Sequence, residues 1–158
     1  FGLARQLGIS RKEAAHYIEL YFMRYPGVHT YLKGCVERAK QQGAATTLFG
    51  RRREMPELKS SNYNTRSFGE RVAMNMPIQG TAADIIKLAM VRVHNELKAR
   101  GMKSELILQI HDELIIDAVQ EEADAAAEIL KSCMENVVNL KVPLLAEVHT
   151  GHSWFDTK

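Results

Sequence analysis

The chain has 158 residues, of which 46% are hydrophobic and 25% charged. Those are ordinary globular proportions, so wholesale disorder is excluded, and the length suits one domain or part of something larger. Lys and Arg number 21 against 19 Asp and Glu, a formal charge of +2, so a polybasic tail is excluded and any nucleic-acid contact must come from a local patch.

The chain begins Phe1-Gly2-Leu3-Ala4, without an initiator Met or a signal peptide and inside an apolar pattern. This is expected of a piece cut from a longer polypeptide. Ser10 and Glu13 have capping-box spacing, and Ala14, Ala15, Ile18, Tyr21, Phe22 and Tyr25 recur at helical steps. Pro26-Gly27 interrupts that helix. A second helix carries Val28, Tyr31, Leu32, Cys35, Val36 and Ala39, with Gly43 as its stop. Thr46 to Leu48 favour a strand, Phe49-Gly50 a turn, and Arg51 to Met55 a return strand. Glu57 to Thr65 reads as a polar loop.

A helix is expected from about Arg66 to Met76, with Pro77 as a break or a new first turn. Ile78 to Leu97 is apolar almost all round, which predicts a helix buried on most sides and ended by Gly101. Glu105 to Val119 reads as a β-hairpin in which Leu106, Leu108 and Ile110 alternate with Ile107 and Gln109. Its tip carries His111-Asp112-Glu113. A helix from about Glu121 to Asn139 and a last strand from Leu144 to Val148 complete the pattern. Strands and helices mix without strict alternation, so the expected fold class is α+β, with helices packed on a small antiparallel sheet. No apolar run approaches the ~18–20 residues of a membrane span. Cys35 and Cys133 are distant in sequence and helical in context, which fits a reducing compartment and no disulfide framework.

Three constellations bear on function. The acidic pair of the trio is flanked by apolar strands. Two adjacent carboxylates repel each other, and a hard divalent cation such as Mg²⁺ relieves that repulsion while needing only one or two of them. A solvated acidic turn is the bland alternative. Arg71, Asn75 and Gln79 are spaced four apart, which places them on one helix face at about 6 Å per step. One guanidinium and two amides in a row can read minor-groove base edges or hold sugar and phosphate oxygens, or simply solvate the helix. Arg51-Arg52-Arg53 suits phosphate contact, and equally suits a solvated edge-strand device. His149 and His152 near Trp154 have no evident third metal ligand, so a structural or surface role is expected.

Read together, three blocks carry a resemblance: Thr47-Leu48-Phe49-Gly50-Arg51-Arg52, Arg71 through Asp84 (RVAMNMPIQGTAAD), and Gln109-Ile110-His111-Asp112-Glu113-Leu114. In order and separation they resemble the bacterial DNA polymerase I family, the family A DNA polymerases, from Phe1 to Trp154. The resemblance implies a C-terminal portion of the polymerase domain. Residues 1–65 would be the later fingers with the arginine hairpin, and residues 66–158 the later palm. Asp112 would be a catalytic metal ligand, with Glu113 beside the metals in a lesser role and His111 near the primer terminus. Arg71, Asn75 and Gln79 would touch the duplex in the minor groove near the insertion site. Arg51 and Arg52 would lie along the template–primer path. The implied chemistry is two-metal phosphoryl transfer, in which Mg²⁺ lowers the pKa of the primer 3′-hydroxyl and holds the triphosphate. The implied partners are primer-template DNA, deoxynucleoside triphosphates and the remainder of the polypeptide, with no membrane. The implied location is the bacterial cytoplasm, at the nucleoid.

The family also needs a second Asp and a fingers helix bearing Arg, Lys and Tyr. Neither is recognisable here, and both are expected upstream of Phe1. The palm sheet is then expected to lack a central strand, and the 158 residues alone are expected not to extend primers. A stand-alone duplex-binding module without catalysis is the alternative reading.

Overall fold

Ser10 starts the first long helix as its spacing predicts. Its Oγ accepts the Glu13 N–H at 3.2 Å, and Glu13 Oε2 accepts the Ser10 N–H at 2.9 Å. The structure is a computed structural model that describes residues 2–157. It divides into two units, Phe1–Ile78 and Gln79–Lys158.

The first unit runs α1 (Gly2–Leu7), α2 (Arg11–Arg24), α3 (Pro26–Gln42), β1 (Ala44–Thr46), β2 (Arg52–Glu54), a 3-10 turn at Pro56–Lys59, and the start of α4 (Tyr63–Ala99). The pattern around Leu3 gave no helix prediction, yet α1 forms and buries Ala4. In α2 the amphipathic spacing is present, but only Ala14 is buried. Ile18, Tyr21 and Tyr25 stay about half exposed, and the Tyr21 and Tyr25 rings pack at a tilt of 48° with centroids 5.0 Å apart. Pro26 sits in the first turn of α3, where its missing N–H costs nothing. Gly43 ends α3 at φ +70°, a left-handed conformation that favours glycine. The return strand pairs Ala44 with Glu54 and Thr46 with Arg52. The core of this unit is Val36, Ala39, Ala45, Met55, Leu58 and Ala73. Gly69 of α4 lies directly on the 3-10 turn, where an added Cβ would stand 2.9 Å from Glu57 Cβ.

The second unit holds the rest of α4, then β3 (Glu105–Ile110), β4 (Glu113–Asp117), a 3-10 turn at Gln120–Glu122, α5 (Ala123–Glu135) and a 3-10 turn at Trp154–Thr157. Ile86, Ala89, Val93 and Leu97 of α4 meet Leu114 of β4 and Ala126, Ile129 and Cys133 of α5.

The α+β class holds, with the antiparallel pairing split into two two-stranded sheets among the described residues. Four local expectations need correction. Pro77 does not break the helix: α4 is continuous over 37 residues. Proline removes its own N–H at a cost of roughly 3 kcal/mol. Buried Ala73 before it, and the four-residue core stripe after it, anchor the rod on either side. Nor is the second half of α4 buried on most sides, for Ile78, Leu88 and Val91 are 56%, 45% and 60% exposed. Composition counts apolar residues but does not say which find cover.

The alternation in β3 also fails. A bulge lies between Leu106 and Leu108, so Leu106 and Gln109, not Leu108, share the face of Ile116 and Leu114. Residues 144–148, finally, do not form a strand. They alternate in burial like one, but a ladder needs a partner, and in its place Glu135 Oε1 accepts the Ala146 N–H at 3.1 Å.

The cap at Ser10 gives a first prediction. Ser10→Ala should cost about 1 kcal/mol of stability. Hydrogen bonds from Ser10, its side chain first and its backbone second, hold the Glu13 carboxyl below its ordinary value of 4.5. A depressed acid stabilises above that ordinary value and loses the contribution as pH falls through the lowered one. The Tm gap between wild type and Ser10→Ala, read by circular dichroism, should therefore shrink on acidification below pH 4.5.

Candidate functional site

The tip of the β3–β4 hairpin is the two-residue loop His111-Asp112, closed by the pair Ile110–Glu113. His111 has φ +52°, uncommon for a residue with a Cβ but the sign that tight two-residue hairpin loops require at their first position. Gln109 braces it, donating from Nε2 to the His111 carbonyl at 2.6 Å. In the sequence Gln109 belongs to the alternation and opens the third resemblance block, but no role is expected of it there. The signal for it was a lone amide among apolar strand residues, two positions before the tip.

His111, Asp112 and Glu113 are all exposed. Asp112 and Glu113 open into a groove of about 490 Å³ whose other walls include Leu130, Glu147, His149 and Trp154. Glu113 and Ile115 lie on the strand face opposite Leu114, because successive side chains alternate along β4. His149 Nε2 lies 4.0 Å from Glu147 Oε2, an exposed pair worth little to stability.

The other predicted residues sit as follows. Arg71 and Asn75 are exposed one turn apart on α4, and Gln79, also exposed, follows one turn later on the same helix. Ser67, one turn earlier, accepts from Arg71 Nη1 at 3.1 Å. In the arginine hairpin, Arg52 pairs with Glu54 at 2.8 Å and donates to the Gln42 carbonyl at 3.2 Å, so it also caps α3. Arg51 donates its backbone N–H to Thr47 Oγ1 in the turn. The arginine hairpin belongs to the first unit and the acidic tip to the second.

Charge divides the same way. The first unit carries 13 Lys and Arg against 6 Asp and Glu, or +7. The second carries 8 against 13, or −5. A polyanion suits the first and cations the second. At the tip, two hard oxygen donors on consecutive residues fit Mg²⁺, which takes one or two carboxylates and completes its shell elsewhere. Among the described residues no three His, Cys, Asp or Glu gather as a self-contained metal site.

Across residues 1–156 the chain matches DNA polymerase family A. The chain belongs to DNA polymerase family A. It is 54% identical to DNA polymerase I of Caldicellulosiruptor bescii, over all of this chain and 19% of that protein. It is 50% identical to DNA polymerase I of Bacillus caldotenax, over all of this chain and 18% of that protein. The chain thus spans about a fifth of the length of these curated relatives. Among solved structures it superposes on the POL domain of Pol1 from M. smegmatis, in complex with DNA primer-template and dNTP. The TM-score is 0.94 at 44% identity, covering 99% of this chain and 28% of that one. The family resemblance carried by the three sequence blocks therefore holds across residues 1–156. No helix among the described residues is long and apolar enough to cross a membrane.

Proposed function

We propose that the chain is the C-terminal part of a DNA-directed DNA polymerase, with residues 1–65 in the later fingers and 66–158 in the later palm. The observation that carries this reading is the full-chain likeness to a polymerase domain solved with primer-template and dNTP. The partners are then primer-template DNA, deoxynucleoside triphosphates and the remainder of the polypeptide, in the bacterial cytoplasm.

In this reading Asp112 holds Mg²⁺ and Glu113 lies beside it, on a tip that leaves their oxygens open to substrate. When bound, the divalent ions supply Lewis-acid stabilisation of the attacking and leaving oxygens. The chain's own residues position. His111 lies by the primer terminus at a turn braced by Gln109. Arg71, Asn75 and Gln79 present one donor-rich stripe to the minor groove, and Arg51 and Arg52 lie along the backbone path.

With only two adjacent carboxylates at the tip, the 158 residues alone should incorporate no nucleotide, whereas the full-length protein should extend a primer in Mg²⁺. Extension by the isolated residues, lost in Asp112→Asn, would sink that part of the reading. Arg71→Ala in the full-length protein should raise the primer-template Kd about tenfold. The rise should be nearly equal across sequences, because minor-groove acceptors are nearly degenerate. A loss confined to one template base in a binding titration would contradict the role.

The +7 charge of the first unit also favours a second reading, duplex binding without chemistry. Both readings give steep salt dependence. Only the first gives Mg²⁺-dependent extension by the full-length protein.

A further inference from the structure

We infer that Glu122 and Ser104 are positioning residues for the chemistry at Asp112, forming a clamp across the open end of its hairpin. The inference rests on the polymerase reading above. Ser104 immediately precedes β3 and is 2% exposed. Its Oγ donates to Glu122 Oε2 at 2.6 Å and accepts the Val119 N–H, just beyond β4, at 3.1 Å. The same carboxylate accepts the Ser104 N–H at 2.9 Å and the Lys103 N–H at 3.0 Å. One anion thus ties the entry of β3, through Ser104 the exit of β4, and the residue at which α5 begins.

The clamp matters because it fixes the base from which the tip projects. Among the described residues the hairpin is two-stranded and carries a bulge at its middle. Within this chain it is oriented by the core face under Leu106, Leu114 and Ile116 and by the clamp at its base. α5 is a firm anchor for that base, since Ala126, Ile129 and Cys133 are buried against α4 and β4. Bonds to an ionised acceptor are about twice as strong as neutral ones. Hydrogen bonds from the Ser104 side chain first, then from the Lys103 and Ser104 amides, hold the Glu122 carboxyl below its ordinary value. The anion is therefore the form present at neutral pH. Glutamine can still accept through its one carbonyl oxygen but carries no charge, so the bonds from the Ser104 hydroxyl and the two backbone amides fall to the strength of neutral ones. A base loosened in this way lets the tip swing, and small displacements of a metal-binding carboxylate are expensive.

The test compares wild type, Glu122→Gln, Ser104→Ala, Ser104→Thr and the double variant Ser104→Ala/Glu122→Gln in the full-length protein. Single-nucleotide incorporation is measured across Mg²⁺ concentrations, beside primer-template affinity and hydrogen exchange of amides 105–117. For Glu122→Gln we expect kcat to fall about tenfold and the Mg²⁺ half-saturation to rise about threefold. The KM for nucleotide and the duplex Kd should stay within about twofold of wild type. Exchange across the hairpin should rise while that of residues 126–133 does not. Ser104→Thr should restore activity, and the double variant should be no worse than Glu122→Gln. If Glu122→Gln fails to fold, Ser104→Ala carries the same expectations. Unchanged kcat and Mg²⁺ dependence, with or without a lower Tm, would overturn the clamp as a positioning device. A wild-type protein that extends no primer would instead overturn the polymerase reading itself.

Discussion

Asp112→Asn in the full-length protein is expected to reduce kcat for nucleotide incorporation by about 10³-fold or more. Losing the anion proposed to hold Mg²⁺ would remove several kcal/mol of transition-state stabilisation, and each 1.36 kcal/mol is tenfold in rate, so ~4 kcal/mol reaches that figure. Asparagine keeps the size and shape of the side chain. Asp112 is exposed at a hairpin tip, so its replacement uncovers no core and the Tm should not move. Duplex affinity should hold or improve, since a negative charge is removed from the neighbourhood of phosphates. The informative measurement is a single-turnover incorporation rate beside a duplex binding titration. A rate within tenfold of wild type would take Asp112 out of the metal site and leave the binding-module reading ahead.

Gly69→Ala is expected to destabilise the first unit, although it replaces a helical glycine by the best helix former. Propensity alone predicts a gain of about 1 kcal/mol. Against it stands the close approach of α4 to the turn at Pro56–Lys59. An added Cβ would lie 2.9 Å from Glu57 Cβ, 3.2 Å from Leu58 Cδ2 and 3.2 Å from the Leu58 backbone nitrogen. Two of these atoms belong to or adjoin the backbone and cannot swing away. Leu58 is 7% exposed and part of the core, so the third has little room. Overpacking of this kind costs typically 1–3 kcal/mol, which outweighs the gain. Chemical denaturation should show a lower midpoint at unchanged slope. A higher midpoint would mean that the turn yields freely, and that the contact does not hold α4 in place.

What could be read in the residues was local. The Ser10–Glu13 cap, the left-handed stops at Gly43 and Gly101, and the hairpin with His111-Asp112 at its tip each depend on a few consecutive residues. What escaped depended on partners distant in sequence. Pro77 looks like a break unless one knows that buried residues hold α4 on both sides. Leu144 to Val148 has the alternation of a strand, but among the described residues no strand pairs with it. The bulge in β3 is a register event between two strands, invisible in either one alone. The same holds for the candidate site. Its acidic pair stood out because carboxylates are misplaced among apolar strand residues. The brace from Gln109 and the knot at Glu122 are contacts, and no spacing rule marks them.

The near-neutral charge of the whole conceals two opposite titration curves. The half up to Ile78 holds 13 cationic side chains to 6 carboxylates, and the half after it 8 to 13. On acidification the second half loses its negative charge, crosses its own isoelectric point and turns positive. The first only climbs further from zero. Self-repulsion is therefore relieved in one half while it mounts in the other, and at high pH the roles exchange. Each half has a pH of least internal repulsion, and the two lie on opposite sides of neutrality.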